Sequence, residues 1–330
     1  MTTTARCSRS TNTAPVETDR DGSRTMTDTA QSQQAQRGKQ EEAHLILPAA
    51  EVDAGTLRFA TADDTERALC IGAFNVAVPE DLDVRAGLDF CRTFYKPGTG
   101  DPADRHRGHR EHGHPASKLG YEDRPDQVEQ LQLESFLWQE YLPDEVTAVL
   151  RRMRQLTLDV LYGVFDAAWV PEADRDLITG GAPQDTGLCY TTVNHYRAGL
   201  SDRAGIVEHS DSGFITTICT DQPGYEILHE GHWLPVRERP GHFTVNLGDA
   251  FRVLTRKLPR PVTAVYHRVP ELRPDAGVPD RSSFTVYMGP RYDMPLYQYD
   301  TEGRLREYQS FRDFSVEKAG KLGYDFHSRV

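Results

Sequence analysis

The spacing of apolar side chains changes twice along this chain, and each change marks a region. Residues 1 to 43 contain hardly any bulky apolar side chain. Such a stretch has little to offset its ordering entropy and is expected to be a disordered tail. It has no apolar core of a secretory signal; its Ser, Thr and Arg content is that of a transit peptide, but Glu17, Asp19 and Asp21 count against one. Met26 is a candidate alternative start.

Apolar texture begins at "HLILPAAEV" and continues to the end without a second linker. "TADDTERAL" supplies a helix start and "IGAFNVAV" an alternating strand, while "PEDLDVRAGLDFCRTFY" places Val84, Leu88, Cys91 and Tyr95 on one helical face. Residues 97–126, rich in Gly, Pro, His and charge, read as a long surface segment. The clearest helix is "PDEVTAVLRRMRQLTLDVLYGVF", with Pro143, Asp144 and Glu145 suited to its first turn and Val146, Val149, Leu150, Met153, Val160, Leu161 and Val164 in a stripe. After Asp185 the period shortens to that of strands: "GLCYTTVNHY", "GFITTICT", "YEILHEGHWLPV", "HFTVNL", "PVTAVYHRV" and "SSFTVYMGP". Short alternating runs divided by turns predict an antiparallel sandwich or barrel. The final "YQSFRDFSVEKAGKLGYDF" predicts a helix packed through Phe311, Phe314 and Leu322, with a structural role.

The expected organisation is a tail over 1–43 and a single domain over 44–330. Within that domain, 44–185 is expected to be mostly helical, 186–295 to form the β core, and 296–330 to be a helical C-terminal segment. The fold class is therefore mainly β with helical N-terminal support.

Composition narrows the function. At 38% hydrophobic and 27% charged residues the chain has a globular composition, and no apolar run approaches the roughly 18 residues of a membrane span. A formal charge of −12 argues against a nucleic-acid partner, which needs clustered Lys and Arg. The cysteines (Cys7, Cys70, Cys91, Cys189 and Cys219) form no C-x-x-C pair, so neither a disulfide framework nor a zinc site is expected, and a cytoplasmic setting is the default. The expected partner is a small-molecule substrate, with no membrane; the sequence carries no signal for oligomeric state.

Residues i and i+2 of a strand share a face, and three polar pairs in the β region have that spacing. They are Asn194 and Tyr196, His209 and Asp211, and Arg281 and Ser283. The His-x-acid spacing alone is weak, because His109 and Glu111 repeat it. Its setting is stronger. His267 lies in "YHRV", and two imidazoles with one carboxylate can occupy one face of a six-coordinate metal, leaving three positions open, as in non-haem Fe(II) oxygenases. A closed zinc site would want a fourth ligand, usually sulfur. Arg281 and Ser283 would then suit the distal carboxylate of a chelating diacid.

In order and approximate spacing, "HSDSGFITTICTD", "GYEIL", "HWLPV", "PGHFTVNLGDAFRVLT", "AVYHRV" and "RSSFTVYMGP" resemble the iron(II)- and 2-oxoglutarate-dependent dioxygenases of the isopenicillin N synthase-like branch. The resemblance runs through Thr191 to Pro290 and more faintly through Leu45 to Phe165. It implies a double-stranded β-helix, or jelly roll, with His209, Asp211 and His267 as catalytic iron ligands. It also implies that Arg281 and Ser283 bind the far carboxylate of 2-oxoglutarate, with Tyr196 assisting and Asn194 near the metal. The implied activity is oxidation, most commonly hydroxylation, of a small-molecule metabolite in a biosynthetic pathway, consuming O2 and 2-oxoglutarate and releasing succinate and CO2. This chain departs from the pattern at "PELRPDAGVPD", which lengthens the turn before Arg281, and at "RKLPRP", which replaces an Asn-Gly turn; both lie toward the pocket rim.

Two alternatives share the scaffold: an iron-dependent oxidase using no 2-oxoglutarate, and a catalytically inactive ligand-binding protein. A serine hydrolase is disfavoured because no G-x-S-x-G elbow is present. The segment "RHRGHREHGH" offers His106, His109, His112 and His114 as a second metal cluster, but reads first as a solvated loop. By the resemblance it passes near the pocket mouth, which makes Arg107, His109 and Arg110 candidate substrate contacts.

Overall fold

Val, Ile, Thr and aromatic residues crowd the runs after Asp185, and in a computed structural model of the chain these runs are strands. The structure describes residues 44–110, 120–184, 186–273 and 279–321. The readings for residues 1–43, Met26 included, and for His112, His114 and Leu322 lie outside the described residues.

Five strands precede the β core: β1 (Ala49–Asp53), β2 (Thr56–Phe59), β3 (Ala73–Ala77), β4 (Gly120–Asp123) and β5 (Val128–Glu134). The core comprises β6 (Leu188–Tyr196), β7 (Ile206–His209), β8 (Ile215–Thr220), β9 (Glu226–His229), β10 (His232–Pro235), β11 (His242–Leu247), β12 (His267–Val269) and β13 (Arg281–Gly289). A hairpin of β14 (Pro295–Tyr299) and β15 (Leu305–Ser310) precedes a last helix, Phe311–Lys321. Nine strands form one sheet in the order β2-β1-β3-β11-β8-β13-β6-β5-β4, and four form a second in the order β10-β9-β12-β7. This two-sheet arrangement is the expected jelly roll.

The N-terminal part carries strands beside its helices. β1, β2 and β3 extend one side of the large sheet beyond β11, and β4 and β5 extend the other beyond β6. β3 joins the core through β11 and β5 through β6, partners distant in sequence, so local periodicity alone does not report that pairing. The segment 296–330, expected to be helical, opens instead with the β15 arm and most of β14. "PVTAVYHRV" is a strand only over His267–Val269; before it the backbone bonds singly to other elements, with Thr263 N–H donating to Leu69 O (2.9 Å) and Val265 N–H to Leu247 O (3.0 Å).

The long helix Asp144–Ala167 braces the large sheet. Its expected stripe is buried, and each such side chain contributes about 1.5–3 kcal/mol when fully buried. Thr157 ties it to the sheet, its Oγ1 bonded to Thr217 Oγ1 of β8 at 2.9 Å. At the C-terminal end of this helix Phe165 meets Phe214 and Phe251 with ring centroids 5.8 and 5.1 Å away. Phe214 lies three residues beyond Asp211, so this cluster backs the segment that carries the candidate carboxylate.

Candidate metal centre and its cavity

β7 and β12 are antiparallel neighbours in the small sheet, and their register sets His267 directly opposite His209. Asp211 follows just past the end of β7, immediately before a bend over 212–214 rather than in the strand. The ligand atoms of His209, Asp211 and His267 all lie within 4.8 Å of one another.

The orientation of both rings is set by the backbone. His209 Nδ1 lies 2.9 Å from Val207 O and His267 Nδ1 lies 3.4 Å from Val265 O. A carbonyl can only accept, so each Nδ1 carries the proton and each Nε2 presents a lone pair. On the carboxylate, Thr216 Oγ1 donates to Asp211 Oδ2 at 2.6 Å, leaving Oδ1 3.7 Å from His209 Nε2. Asn246 Nδ2 lies 3.5 Å from His267 Nε2, and its Oδ1 accepts from Tyr225 O–H at 2.6 Å.

Charge follows from this placement. Burial and then the neighbouring His267 ring push the His209 pKa down to about 3, and burial likewise lowers that of His267. Burial works against the ionised Asp211, but the two imidazoles and the Thr216 hydroxyl outweigh it and hold the carboxyl below its ordinary value. Near neutral pH the cluster is two neutral imidazoles and one carboxylate, the protonation state a divalent cation requires.

Two glycines permit this loop. A Cβ on Gly213 would come within 2.4 Å of the Tyr287 ring, and one on Gly248 within 2.3 Å of Gly213 O and 2.8 Å of Asp211 O. With neither present, Asp249 N–H donates to Asp211 O (2.8 Å) and Ala250 N–H to Gly213 O (3.0 Å). The start of the helix Asp249–Thr255 thereby clamps the carboxylate-bearing segment.

The other polar pairs face each other across β6 and β13, where Arg281 is the partner of Tyr196 and Ser283 of Asn194. All four line the same cavity as the histidines, a space of about 180 Å³. Arg281 is 2% exposed; its Nε donates to Gln222 O (3.1 Å), its guanidinium lies 4.9 Å from the Tyr196 ring centroid, and its Nη1 is buried without a partner. Asn194 Nδ2 donates to Ser283 Oγ at 3.1 Å, whereas Asn194 Oδ1 is unpartnered. A buried guanidinium N–H left unpaired is costly, and a carboxylate of a small diacid would satisfy it. The residues present therefore fit both a divalent metal and an acidic chelator.

The described part of the histidine-rich segment, up to Arg110, makes contacts within the fold. Arg110 bonds Glu129, a residue of β5 whose side chain is fully buried, and Glu129 also meets His195 Nδ1 at 2.8 Å and Tyr121 O–H at 2.7 Å. His109 Nε2 bonds Arg105 O at 3.0 Å, and its ring packs edge-on against Phe90. Among the described residues of this segment, Arg107, His109 and Arg110 do not line this cavity. Sequence reasoning missed Thr216, Tyr225, Asn246 and Lys318, which do line the cavity. For Thr216 the signal was available, since it lies in the strand run that follows Asp211; for Lys318 there was none.

A family model for the 2OG-Fe(II) oxygenase superfamily matches residues 188–290. Gibberellin 2-beta-dioxygenase 6 of Oryza sativa subsp. japonica is 32% identical over 112 residues, covering 33% of this chain and 29% of that protein. Gibberellin 2-beta-dioxygenase 8 of Arabidopsis thaliana is 29% identical over 142 residues, covering 41% and 40%. The aligned segments thus span less than half of either relative. The dioxygenase for auxin oxidation of rice has a TM-score of 0.61 at 22% identity, covering 86% of this chain and 99% of that one. JOX2, solved with 2OG, Fe and JA, has a TM-score of 0.63 at 17% identity, covering 84% and 86%. At these identities the two structures establish the shared fold. The segment 188–290, which encloses His209, Asp211, His267, Arg281 and Ser283, is the part of this chain that matches the 2OG-Fe(II) oxygenase superfamily.

Proposed function

We propose that this protein is an Fe(II)- and 2-oxoglutarate-dependent dioxygenase that oxidises, most simply by hydroxylation, a small-molecule substrate. The observation that carries this reading is the convergence of His209, Asp211 and His267 within 4.8 Å in the cavity where Arg281 Nη1 is buried without a partner. When bound, the metal supplies dioxygen activation coupled to oxidative decarboxylation of 2-oxoglutarate, with succinate and CO2 as coproducts.

The chain's own residues do the positioning. His209 and His267 offer Nε2 lone pairs because their Nδ1–H groups are held by backbone carbonyls. Thr216 engages one Asp211 oxygen and so favours single-oxygen ligation through the other. Arg281 anchors the distal carboxylate of 2-oxoglutarate with a planar fork, assisted by the Ser283 hydroxyl, with Tyr196 beneath the guanidinium and Asn194 orienting Ser283.

The test is a visible spectrum of anaerobic apoprotein titrated with Fe(II) and then 2-oxoglutarate. A metal-to-ligand charge-transfer band, weakened in Arg281→Ala, supports the reading. Iron binding without that band would indicate an oxidase that uses no 2-oxoglutarate, and absence of iron binding would defeat the enzymatic reading altogether.

A further inference from the structure

One face of the helix Phe311–Lys321 forms part of the cavity wall through Ser315, Lys318 and Ala319. Positions three and four apart stand together on a helix surface. A serine inside a helix commonly turns its hydroxyl back to the carbonyl four residues earlier. Ser315 does not: its Oγ is buried and has no hydrogen-bond partner. A buried hydroxyl left unpaired costs about 1–3 kcal/mol, a cost that a ligand's oxygen would remove.

Lys318 supplies charge at the same place. Its ammonium has three N–H donors and uses two, toward Ser210 Oγ at 3.0 Å and toward Asp249. Asp249 is also bonded by Arg252 Nε at 2.8 Å, so one carboxylate serves two cations. The remaining cavity cations are better matched, Arg124 by Asp126 and Arg268 by Glu226, while Arg281 is assigned above to 2-oxoglutarate. Asp211, assigned to the metal, is the one carboxylate among the described lining residues. The third Lys318 N–H is therefore left over at the cavity wall, where neither metal nor cosubstrate is assigned.

We propose that the substrate is a monocarboxylate whose two oxygens are received by the Lys318 ammonium and the Ser315 hydroxyl on this helix. One cation and one neutral donor match a single negative charge shared by two oxygens; a phosphate dianion would need more donors. The proposal rests on the dioxygenase reading of the same cavity. It makes Lys318 and Ser315 determinants of specificity at the wall of the metal site.

Isothermal titration of the anaerobic protein, loaded with Fe(II) and 2-oxoglutarate, with phenylacetate and cyclohexanecarboxylate beside their primary amides tests this. The acids are expected to bind at least about tenfold more tightly than the amides, the effect of one charge-assisted hydrogen bond. Lys318→Met should erase that preference while leaving the amides and the charge-transfer band unchanged. Ser315→Ala, which creates no unpaired charge, should weaken the acids about threefold to tenfold. Acids and amides that bind alike, or do not bind, overturn the proposal, as does an equal loss of both in Lys318→Met, the mark of a merely structural lysine. Absence of the charge-transfer band in the wild type overturns the dioxygenase reading first, and this proposal with it.

Discussion

His209 and His267, 58 residues apart in sequence, are direct cross-strand partners with ring centroids 4.3 Å apart. Their Nδ1 protons are committed to the Val207 and Val265 carbonyls, so backbone contacts turn both lone pairs toward one another's side of the cavity. Asp211 differs, because one of its oxygens is held by Thr216. Thr216→Val is accordingly expected to weaken metal binding by about 10- to 100-fold, the usual consequence of removing a partner of a ligand. Competition titration with a chelator measures it, and unchanged affinity would show that Thr216 does not orient the carboxylate.

The pH dependence of the metal-free protein has a definite sign. His209 titrates at about 3 in the folded chain against an ordinary 6.5, and His267 is shifted in the same direction. The unfolded chain therefore takes up protons that the folded site refuses, and stability present above about pH 6.5 is lost as the pH falls toward 3. The lowered pKa of Asp211 extends the loss below its ordinary value of 3.8. The melting temperature should fall more between pH 7.5 and pH 5 in the wild type than in His209→Gln; an equal fall would refute this.

Arg281 combines charge with a fork, and these separate by substitution. Arg281→Ala is expected to raise the KM for 2-oxoglutarate by about 10- to 150-fold, the equivalent of about 1.5–3 kcal/mol for a charged hydrogen bond. Arg281→Lys keeps the charge and should fall between the two, because an ammonium lacks the planar fork. Steady-state succinate formation reads both, and a wild-type KM in the alanine variant would remove Arg281 from the cosubstrate site.

Gly248→Ala tests the clamp on the Asp211 segment. Its Cβ would fall 2.8 Å from Asp211 O and 2.3 Å from Gly213 O, both backbone atoms. Overpacking of this kind costs about 1–3 kcal/mol. Urea denaturation should register that loss, and metal titration should show weaker binding because the displaced segment carries a ligand.

Arg110 serves the fold. Its partner Glu129 is fully buried, while Arg110 itself is 43% exposed. In Arg110→Ala, His195 and Tyr121 still bond the carboxylate, so the expected destabilisation is about 1–3 kcal/mol, the loss of one partner of a buried polar group. Denaturant midpoints measure it. A normal midpoint with an altered substrate KM would return Arg110 to the substrate-contact role that the sequence suggested.

The sequence by itself determined most strands of the core, the long helix and the spacing of the candidate site's polar pairs. Periods of two and 3.6 are local, and so is the i, i+2 spacing of His209 with Asp211, Asn194 with Tyr196, and Arg281 with Ser283. Tertiary structure decided what those spacings could not: that His267 stands opposite His209, that Tyr196 stands opposite Arg281, and that β1–β5 complete the large sheet. It also decided the part played by Lys318. Its neighbours in sequence describe an ordinary surface helix, and only the docking of that helix against Ser210 and Asp249 brings its charge to the cavity. Pairing register and helix docking depend on partners tens to hundreds of residues away, and no local pattern encodes them.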